Sequence, residues 1–491
     1  MQININPKKE LFKWGPIEFK LVYGSFFIET ILVRVEDFYP WHWPPALAII
    51  QQGKLTFING CLELQKAGLK YFRKYFLNLN NYKIHWQKWE DWIKEYEKMA
   101  QELEQIKWQN ISDKELSSLL KKFYNFNIRF WLIVHVPEIA NWGGEYLLTN
   151  KLKNLFPDKF EKYLEILSAP IKFSFFQQEE LDLLFLDSIK NKKEFQKKLK
   201  QHAKEYRWLL NSYGGNRILK VDYFADKLKE LLQEKSAKQK IKEIKDNVKK
   251  NKTRKDKLIK ELKLSKDLVL TAKQLSQSIW WQDLRKGYIW QMNYFWDKFL
   301  REISKRTDWK FDELQLCYGY EILSIVKNEN KINKKEINKR KKYYAFYAEK
   351  GKFNDFIQVQ PIKKLISTYL KTATGNIKEL KGLVVSRGRA TITRGRVKII
   401  SNPFKESCKM EKVDILVAGM TSPSSVIKAA AFFKYGIKSA IVIYDTKISP
   451  FFIFFSSAFL IIIFTIPAAF PLFPILPFMV LLLILSLSPN A

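Results

Sequence analysis

The chain has 491 residues, enough for two to four domains that each bury a core. Hydrophobic residues make up 47% of it and aromatic residues 15%, which excludes an intrinsically disordered chain. The formal net charge of +35 suits an anionic partner, but lysine-rich, solvated helix faces explain it more simply. Because no basic cluster is interleaved with base-stacking aromatic residues, nucleic acid is not the expected partner.

The three cysteines lie far apart in the sequence. Cys61, Cys317 and Cys408 form no CxxC pair and no Cys-His spacing typical of zinc sites. The first residues, MQININPKKELFKWG, lack the apolar segment of a signal peptide. We therefore expect a reduced, cytoplasmic body without a metal site.

Residues 1–60 are predicted to form a β-rich segment of short strands and turns. The stretch FKLVYGSFFIETILVRV, which begins at Phe19, carries β-branched and aromatic residues in rough alternation. The stretch QQGKLTFING is typical of a hairpin arm closed by Asn59-Gly60. Strands are thus expected on both sides of the proline-rich YPWHWPP segment.

Residues 61–375 are predicted to form a helical body, because apolar residues recur at intervals of three and four. Asp113 is expected to cap one helix, and the Gly143-Gly144 pair to end the apolar helix that follows. Residues 227–266 are dense in Lys and Glu with sparse Leu and Ile. That composition predicts a long solvated helix or a coiled-coil arm.

The four histidines form no catalytic pattern with other residues. Each is interpreted as a packed or hydrogen-bonded structural residue: His42, His85, His135 and His202. For His202, nearby Glu205 and Tyr206 suggest a structural hydrogen bond. No spacing among the remaining carboxylates predicts a metal site or an acid–base pair.

A small α/β unit is predicted to begin near residue 376. Six short segments follow one another in this part of the sequence: GLVVSRGRA from Gly382, RGRV from Arg394, Asn402-Pro403, VDILVA from Val413, TSP from Thr421 and KAAA from Lys428. Within about 50 residues, these segments resemble the swivelling mobile domain of phosphoenolpyruvate-utilising enzymes such as phosphoenolpyruvate synthase and pyruvate phosphate dikinase. The family-motif positions are Ser386, Gly388, Gly395, Thr421, Pro423 and Gly436.

The resemblance implies an α+β chain: the helical body as a linker, and residues 376–446 as an incomplete β/β/α swivelling domain. It also implies phosphoryl transfer on a histidine, with ATP, phosphoenolpyruvate or pyruvate and Mg²⁺ as cofactors, and a separate ATP-grasp subunit as partner. The residues themselves identify no cofactor.

The family carries its phosphate on the histidine of a G-G-x-T-S-H-A loop that follows the KAAA helix. Here the segment from Lys434 to Val442 contains no histidine. No catalytic residue is therefore predicted, and the chain as written is expected to be inactive in this step. A shift of reading frame between Ala431 and Ile448 is one explanation for the abrupt loss of the pattern.

The last segment, residues 451–487, contains no charged residue. Its apolar runs, interrupted by prolines, are long enough for one kinked membrane span or a re-entrant hairpin. This segment supports an alternative function, that of a non-enzymatic helical protein anchored in a membrane by its C-terminal tail. A second alternative, a polyanion-binding helical protein, rests on net charge alone.

Overall fold

The computed structural model describes residues 3–35, 38–233, 235–329, 332–370, 382–386, 396–400, 415–418, 439–444 and 460–465. These residues are mostly helical, with a short N-terminal strand region and a small C-terminal sheet, as the sequence predicted. The chain divides into two compact units. The first comprises Met1–Ile5, Glu18–Gly53 and Asn59–Ile357, and the second comprises Asn6–Ile17, Lys54–Ile58 and Gln358–Ala491.

The first unit is built mainly from helices. Among the described residues these are α1 (Leu21–Phe27), α2 (Cys61–Phe72), α3 (Leu79–Gln105), α4 (Asp113–Leu155), α5 (Phe160–Ser168), α6 (Phe175–Phe185), α7 (Lys192–Tyr206), α8 (Val221–Leu232), α9 (Ala237–Glu261), α10 (Lys266–Arg306), α11 (Phe311–Leu314), α12 (Gly319–Val326) and α13 (Lys334–Lys339). Single π-helical turns at Ile28–Leu32 and Arg73–Leu77 extend α1 and α2.

The buried face of α3 shows why this sequence forms a helix. Its buried residues alternate at intervals of four and three, which places them on one face: His85, Trp89, Trp92, Tyr96, Met99 and Leu103. The rings of Trp89 and Trp92 stack with centroids 5.7 Å apart, and those of Trp92 and Tyr96 with centroids 5.2 Å apart. This aromatic face packs into the interior of the unit.

The start of α4 differs by one residue from the prediction. Ser112, not Asp113, is the cap: its Oγ accepts a hydrogen bond from the Glu115 N–H at 3.2 Å. In return, the Ser112 N–H donates to the Glu115 carboxylate at 2.7 Å. Asp113 lies in the first turn, where its negative charge is favourable near the helix N-terminus.

The prediction that Gly143-Gly144 end a helix is wrong, because α4 continues to Leu155. A Cβ atom on Gly143 would lie 2.0 Å from the backbone carbon of Gly68 on α2. Glycine is therefore required at this point for the two helices to approach each other, and it does not act as a stop signal.

Strands were predicted from Phe19 onward, and this prediction is also wrong. The chain there forms α1 and the following π-helical turn, and every residue from Leu21 to Phe26 is buried. A helix that is apolar on all sides shows no 3.6-residue periodicity, so its pattern resembles that of a buried strand.

The hairpin near residue 50 is present, but its turn lies elsewhere. Strands β2 (Ala46–Gln51) and β3 (Lys54–Gly60) flank Gln52-Gly53, whose φ angles of 50° and 73° are typical of a type I′ turn. Asn59-Gly60 do not close the hairpin, because Gly60 ends β3 and α2 begins at the next residue.

The first unit also contains strands that the helical prediction for residues 61–375 did not include. Strand β4 (Tyr343–Glu349) pairs antiparallel with β2, Ala345 opposite Ile49, and with β5 (Lys352–Phe356). The charged stretch 227–266 forms two helices, α8 and α9, with Ser236 as the cap of the second. Ile244 and Leu258 are buried, so α9 packs against the unit along one face.

The second unit contains strand β1 (Leu11–Glu18, up to Ile17), helix α14 (Val359–Tyr369) and a five-stranded C-terminal sheet. Its strands are β6 (Gly382–Ser386), β7 (Val397–Ile400), β8 (Ile415–Ala418), β9 (Ser439–Tyr444) and β10 (Leu460–Thr465). The strand order is β6-β10-β9-β8-β7. Strands β7, β8, β9 and β10 are parallel to one another, and the edge strand β6 is antiparallel to β10.

Within the part of the chain that the structure describes, no helix has the length and apolar character needed to cross a bilayer. Of the apolar segment 451–487, only Leu460–Thr465 are described, and they form β10. The remaining residues of that segment lie outside the described residues, so the membrane span stays a prediction.

Candidate functional site

The family-motif positions lie almost entirely outside the described residues. Ser386 is the last residue of β6. The other predicted positions are not described: Gly388, Gly395, Thr421, Pro423 and Gly436. The described parts of the motif segments are strands, with GLVVS in β6 and ILVA in β8.

His85 has a structural role that follows from a proline in α4. Pro137 lacks an N–H group, so the carbonyl of Ile133, four residues earlier, has no helical donor. The His85 Nε2–H donates to that carbonyl oxygen at 2.9 Å. Burial lowers the pKa of His85 to about 4, so the ring is neutral near neutral pH.

His135 is likewise enclosed in the first unit. Its Nδ1–H donates to the Leu132 carbonyl oxygen at 2.7 Å, and its ring lies 4.4 Å from that of Tyr39. Burial lowers the pKa of His135 to about 3. Both histidines are therefore core residues, and neither presents a nucleophilic nitrogen to solvent.

His202 takes part in a buried ionic cluster. Its Nε2 lies 3.2 Å from Glu179 Oε1, and the other oxygen of Glu179 binds the Lys227 ammonium. Burial by itself would raise the pKa of Glu179, but Lys227 and His202 outweigh it and the pKa lies below its usual value. The predicted structural hydrogen bond is present, with Glu179 as partner instead of Glu205.

The first unit contains an open cavity of about 380 Å³. We call it the basic groove, because its charged lining residues are all cationic: Lys20, Arg340, Lys341 and Lys342. Its apolar wall consists of Phe19, Leu21, Ile50, Leu316 and the ring of Tyr344. Four separate parts of the sequence thus meet in one surface cavity.

Backbone hydrogen bonds at the β2–β3 turn hold the groove together. The Gln52 N–H donates to the Lys342 carbonyl at 2.9 Å, and the Phe19 N–H donates to the Gly53 carbonyl at 2.8 Å. The type I′ turn places Gln52 and Gly53 between the two segments that carry the lysines. The groove walls are therefore tied together by main-chain contacts, independent of the lysine side chains.

Arg340, at the inner side of the groove, is held by a buried carboxylate. Its two terminal nitrogens donate to the two oxygens of Glu321 at 2.7 and 2.8 Å. Burial would lower the pKa of Arg340, but the bonds and charge of Glu321 raise it above the usual value. Two charge-assisted hydrogen bonds therefore hold the guanidinium group of Arg340 in a fixed orientation.

A second buried carboxylate lies close to this pair. Glu29 accepts a hydrogen bond from the Gly319 N–H at 3.0 Å, and Glu321 accepts one from the Tyr318 N–H at 2.8 Å. Burial raises the pKa of Glu29 to about 7. Both carboxylates thus accept backbone N–H groups at the start of α12, and Glu29 titrates near neutral pH.

The described residues contain no group of three or more His, Cys, Asp or Glu side chains that could hold a metal ion. This part of the chain therefore offers no cluster of ligands to the Mg²⁺ that the resemblance implies.

Comparison with known proteins identified no relative of this chain. No family model matches the chain, and no curated protein matches it.

The basic groove has no distinct signature in the sequence. The available signal was the run Arg340-Lys341-Lys342 directly before the aromatic strand β4. Such a run is common on solvated surfaces, and it gains meaning only when Phe19, Lys20 and the β2–β3 turn are brought beside it.

Proposed function

We propose that the chain is a relative of the phosphoenolpyruvate-utilising phosphotransferases, with residues 376–446 as a truncated mobile domain. The observation that supports this is the order of the motif segments in the sequence, whose described parts are strands of one sheet: GLVVS in β6, VKII in β7 and ILVA in β8. ATP, phosphoenolpyruvate or pyruvate, and a separate ATP-grasp subunit belong to this proposal as reactants and partner.

In this proposal the chain as written does not carry the phosphoryl group. Phosphohistidine formation needs an accessible, neutral imidazole nitrogen as the nucleophile. No histidine follows His202 in the sequence, and none of the four histidines lies in a Gly-Gly-x-Thr-x-His-Ala loop. The carrier residue would therefore come from another reading frame across residues 431–448 or be absent from this relative altogether.

The first test is to resequence the gene across codons 425–450 and translate all three frames. A frame that encodes a Gly-Gly-x-Thr-x-His-Ala loop after the KAAA segment supports the phosphotransferase assignment. The restored chain, supplied with its kinase subunit and radiolabelled phosphoenolpyruvate or ATP, should then gain an acid-labile, base-stable phosphate. If no frame encodes the loop, the phosphotransferase function is rejected.

A membrane-anchored protein is the second candidate, favoured by the uncharged segment 451–487. The cytoplasmic body would then be attached to a membrane through this tail. Such a protein should sediment with membranes and be released by detergent but not by high salt. Recovery of the full chain in the soluble fraction would reject the anchor.

A further inference from the structure

The basic groove has the size and lining of a small-molecule site. Its volume of about 380 Å³ falls within the range of ligand pockets in proteins, which is roughly 300–1,000 Å³. Part of its lining is apolar, with Phe19, Leu21 and Ile50 all buried, and the charged part is cationic. A matching ligand therefore has an apolar part and an anionic part.

The charges of the groove are not neutralised by its own lining. Among the described residues, no carboxylate lines it, and neither Lys20 nor Lys342 forms an ion pair. Lys341 pairs with Asp312 at 3.4 Å, but both side chains are exposed, where such pairs contribute little. Two ammonium groups thus remain for a bound anion.

Arg340 supports the same conclusion from the inner side. Its side chain is only 9% exposed, and its Nε has no hydrogen-bond partner within the described part of the chain. The guanidinium group is held in position by Glu321, so it contributes a fixed donor and a rigid wall. Buried donors without a partner are uncommon, and a water molecule or an ion is one explanation for them.

We propose that the basic groove binds a small organic phosphate, with the phosphate between Lys20 and Lys342 and the apolar group against Phe19, Leu21 and Ile50. A phosphate monoester carries a charge of about −1.5 to −2 at neutral pH, which matches two ammonium groups better than a carboxylate does. Lysine suits phosphate as a flexible point charge. This inference is independent of the phosphotransferase proposal, since no family-motif position lines the groove.

Isothermal titration calorimetry on the full chain tests the proposal, with phenyl phosphate as probe and benzoate and phenol as comparison ligands. The variant K20Q/K342Q removes both unpaired charges. Its matched control is K238Q/K252Q, which removes two exposed lysines of α9, a helix that does not line the groove. A third variant, Q52E, adds a negative charge at the rim without removing a lysine.

Phenyl phosphate should bind more tightly than benzoate, and phenol should bind weakest. K20Q/K342Q should weaken phenyl phosphate binding by about tenfold or more, since hydrogen bonds to charged groups are lost. Q52E should weaken it in the same direction, and K238Q/K252Q should change it less than about twofold. Circular dichroism confirms that each variant is folded.

The proposal fails if phenyl phosphate binds no better than phenol, or if K20Q/K342Q and the control variant behave alike. Tighter binding of benzoate than of phenyl phosphate would also reject the assignment to phosphate.

Discussion

His85 Nε2 lies 2.9 Å from the carbonyl oxygen of Ile133, the residue four positions before Pro137 in α4. The histidine on α3 thereby replaces the backbone donor that the proline removes. Since a buried carbonyl without a partner is costly, this contact explains how α4 continues through Pro137 in the interior of the unit.

The first prediction concerns this replacement. His85→Phe keeps an aromatic ring but removes the donor, and should lower the free energy of unfolding by about 1–3 kcal/mol in urea denaturation. In a P137A background, residue 137 regains an N–H that can bond to Ile133, so the same substitution should cost less. Equal costs in both backgrounds would show that the hydrogen bond is not what His85 contributes.

The second prediction concerns the crossing of α2 and α4. Gly143→Ala places a methyl group 2.0 Å from the backbone of Gly68, so the helices must move apart, at a cost of about 1–3 kcal/mol or more. Gly287→Ala is the matched control. Its added methyl group would lie 3.4 Å from Trp208, and alanine favours the helix by about 1 kcal/mol. Thermal unfolding should show a lower melting temperature for the first variant only.

The third prediction is a pH dependence that originates at Glu29. Its pKa is about 7 in the folded chain against an ordinary value of 4.5, so the folded state retains a proton that the unfolded state loses. The stability contributed by the protonated form is complete below about pH 4.5 and is lost as the pH rises to about 7. Glu29→Gln stays neutral throughout, so its stability relative to wild type should increase over this window, by about 3 kcal/mol at most.

The measurement for Glu29 is chemical denaturation of both chains at several pH values between 4 and 8. The difference between the two chains is the relevant quantity, because His85 and His135, with their lowered pKa values, titrate in the opposite direction below about pH 6.5. A difference that does not change with pH would contradict the assigned pKa.

The fourth prediction concerns the Arg340–Glu321 pair. Arg340→Met leaves the Glu321 carboxylate buried without its cation, and should destabilise the chain by about 3–5 kcal/mol. Adding Glu321→Gln removes the unpaired charge but keeps an acceptor for the Tyr318 N–H. The double variant should therefore be more stable than R340M alone in guanidinium denaturation. A double variant less stable than R340M would mean that Glu321 acts mainly through contacts other than Arg340.

Local sequence patterns predicted the type of secondary structure correctly where only one face of an element is buried. The alternation of four and three residues along α3 is visible in the sequence because the opposite face is polar and solvated. Periodicity did not predict α1 as a helix, because its six residues from Leu21 to Phe26 are all buried. It did not predict β4 as a strand either, because the aromatic residues of β4 do not alternate with polar ones. Periodicity disappears when both faces of an element are covered.

Glycine signals were also ambiguous. The sequence shows Gly143-Gly144 but not what lies opposite them, so a helix stop and a close helix crossing could not be distinguished. At Gln52-Gly53, by contrast, positive φ angles show that this pair forms the turn of the hairpin. Asn59-Gly60 is the stronger turn signal in the sequence, but it lies at the end of strand β3. The contact with Gly68 on α2 decided the role of Gly143, whereas the positive φ angle decided that of Gly53.

The sequence by itself determined the class of the chain: a helical body, an N-terminal strand region and a small C-terminal sheet. Those features depend on composition and spacing, which are local. Only the tertiary structure decided that His85 completes α4 and that Lys20, Gln52, Arg340 and Lys342 form one basic groove. Residues hundreds of positions apart acquire a common chemistry only when packing brings their side chains within contact distance, and no local pattern records that proximity.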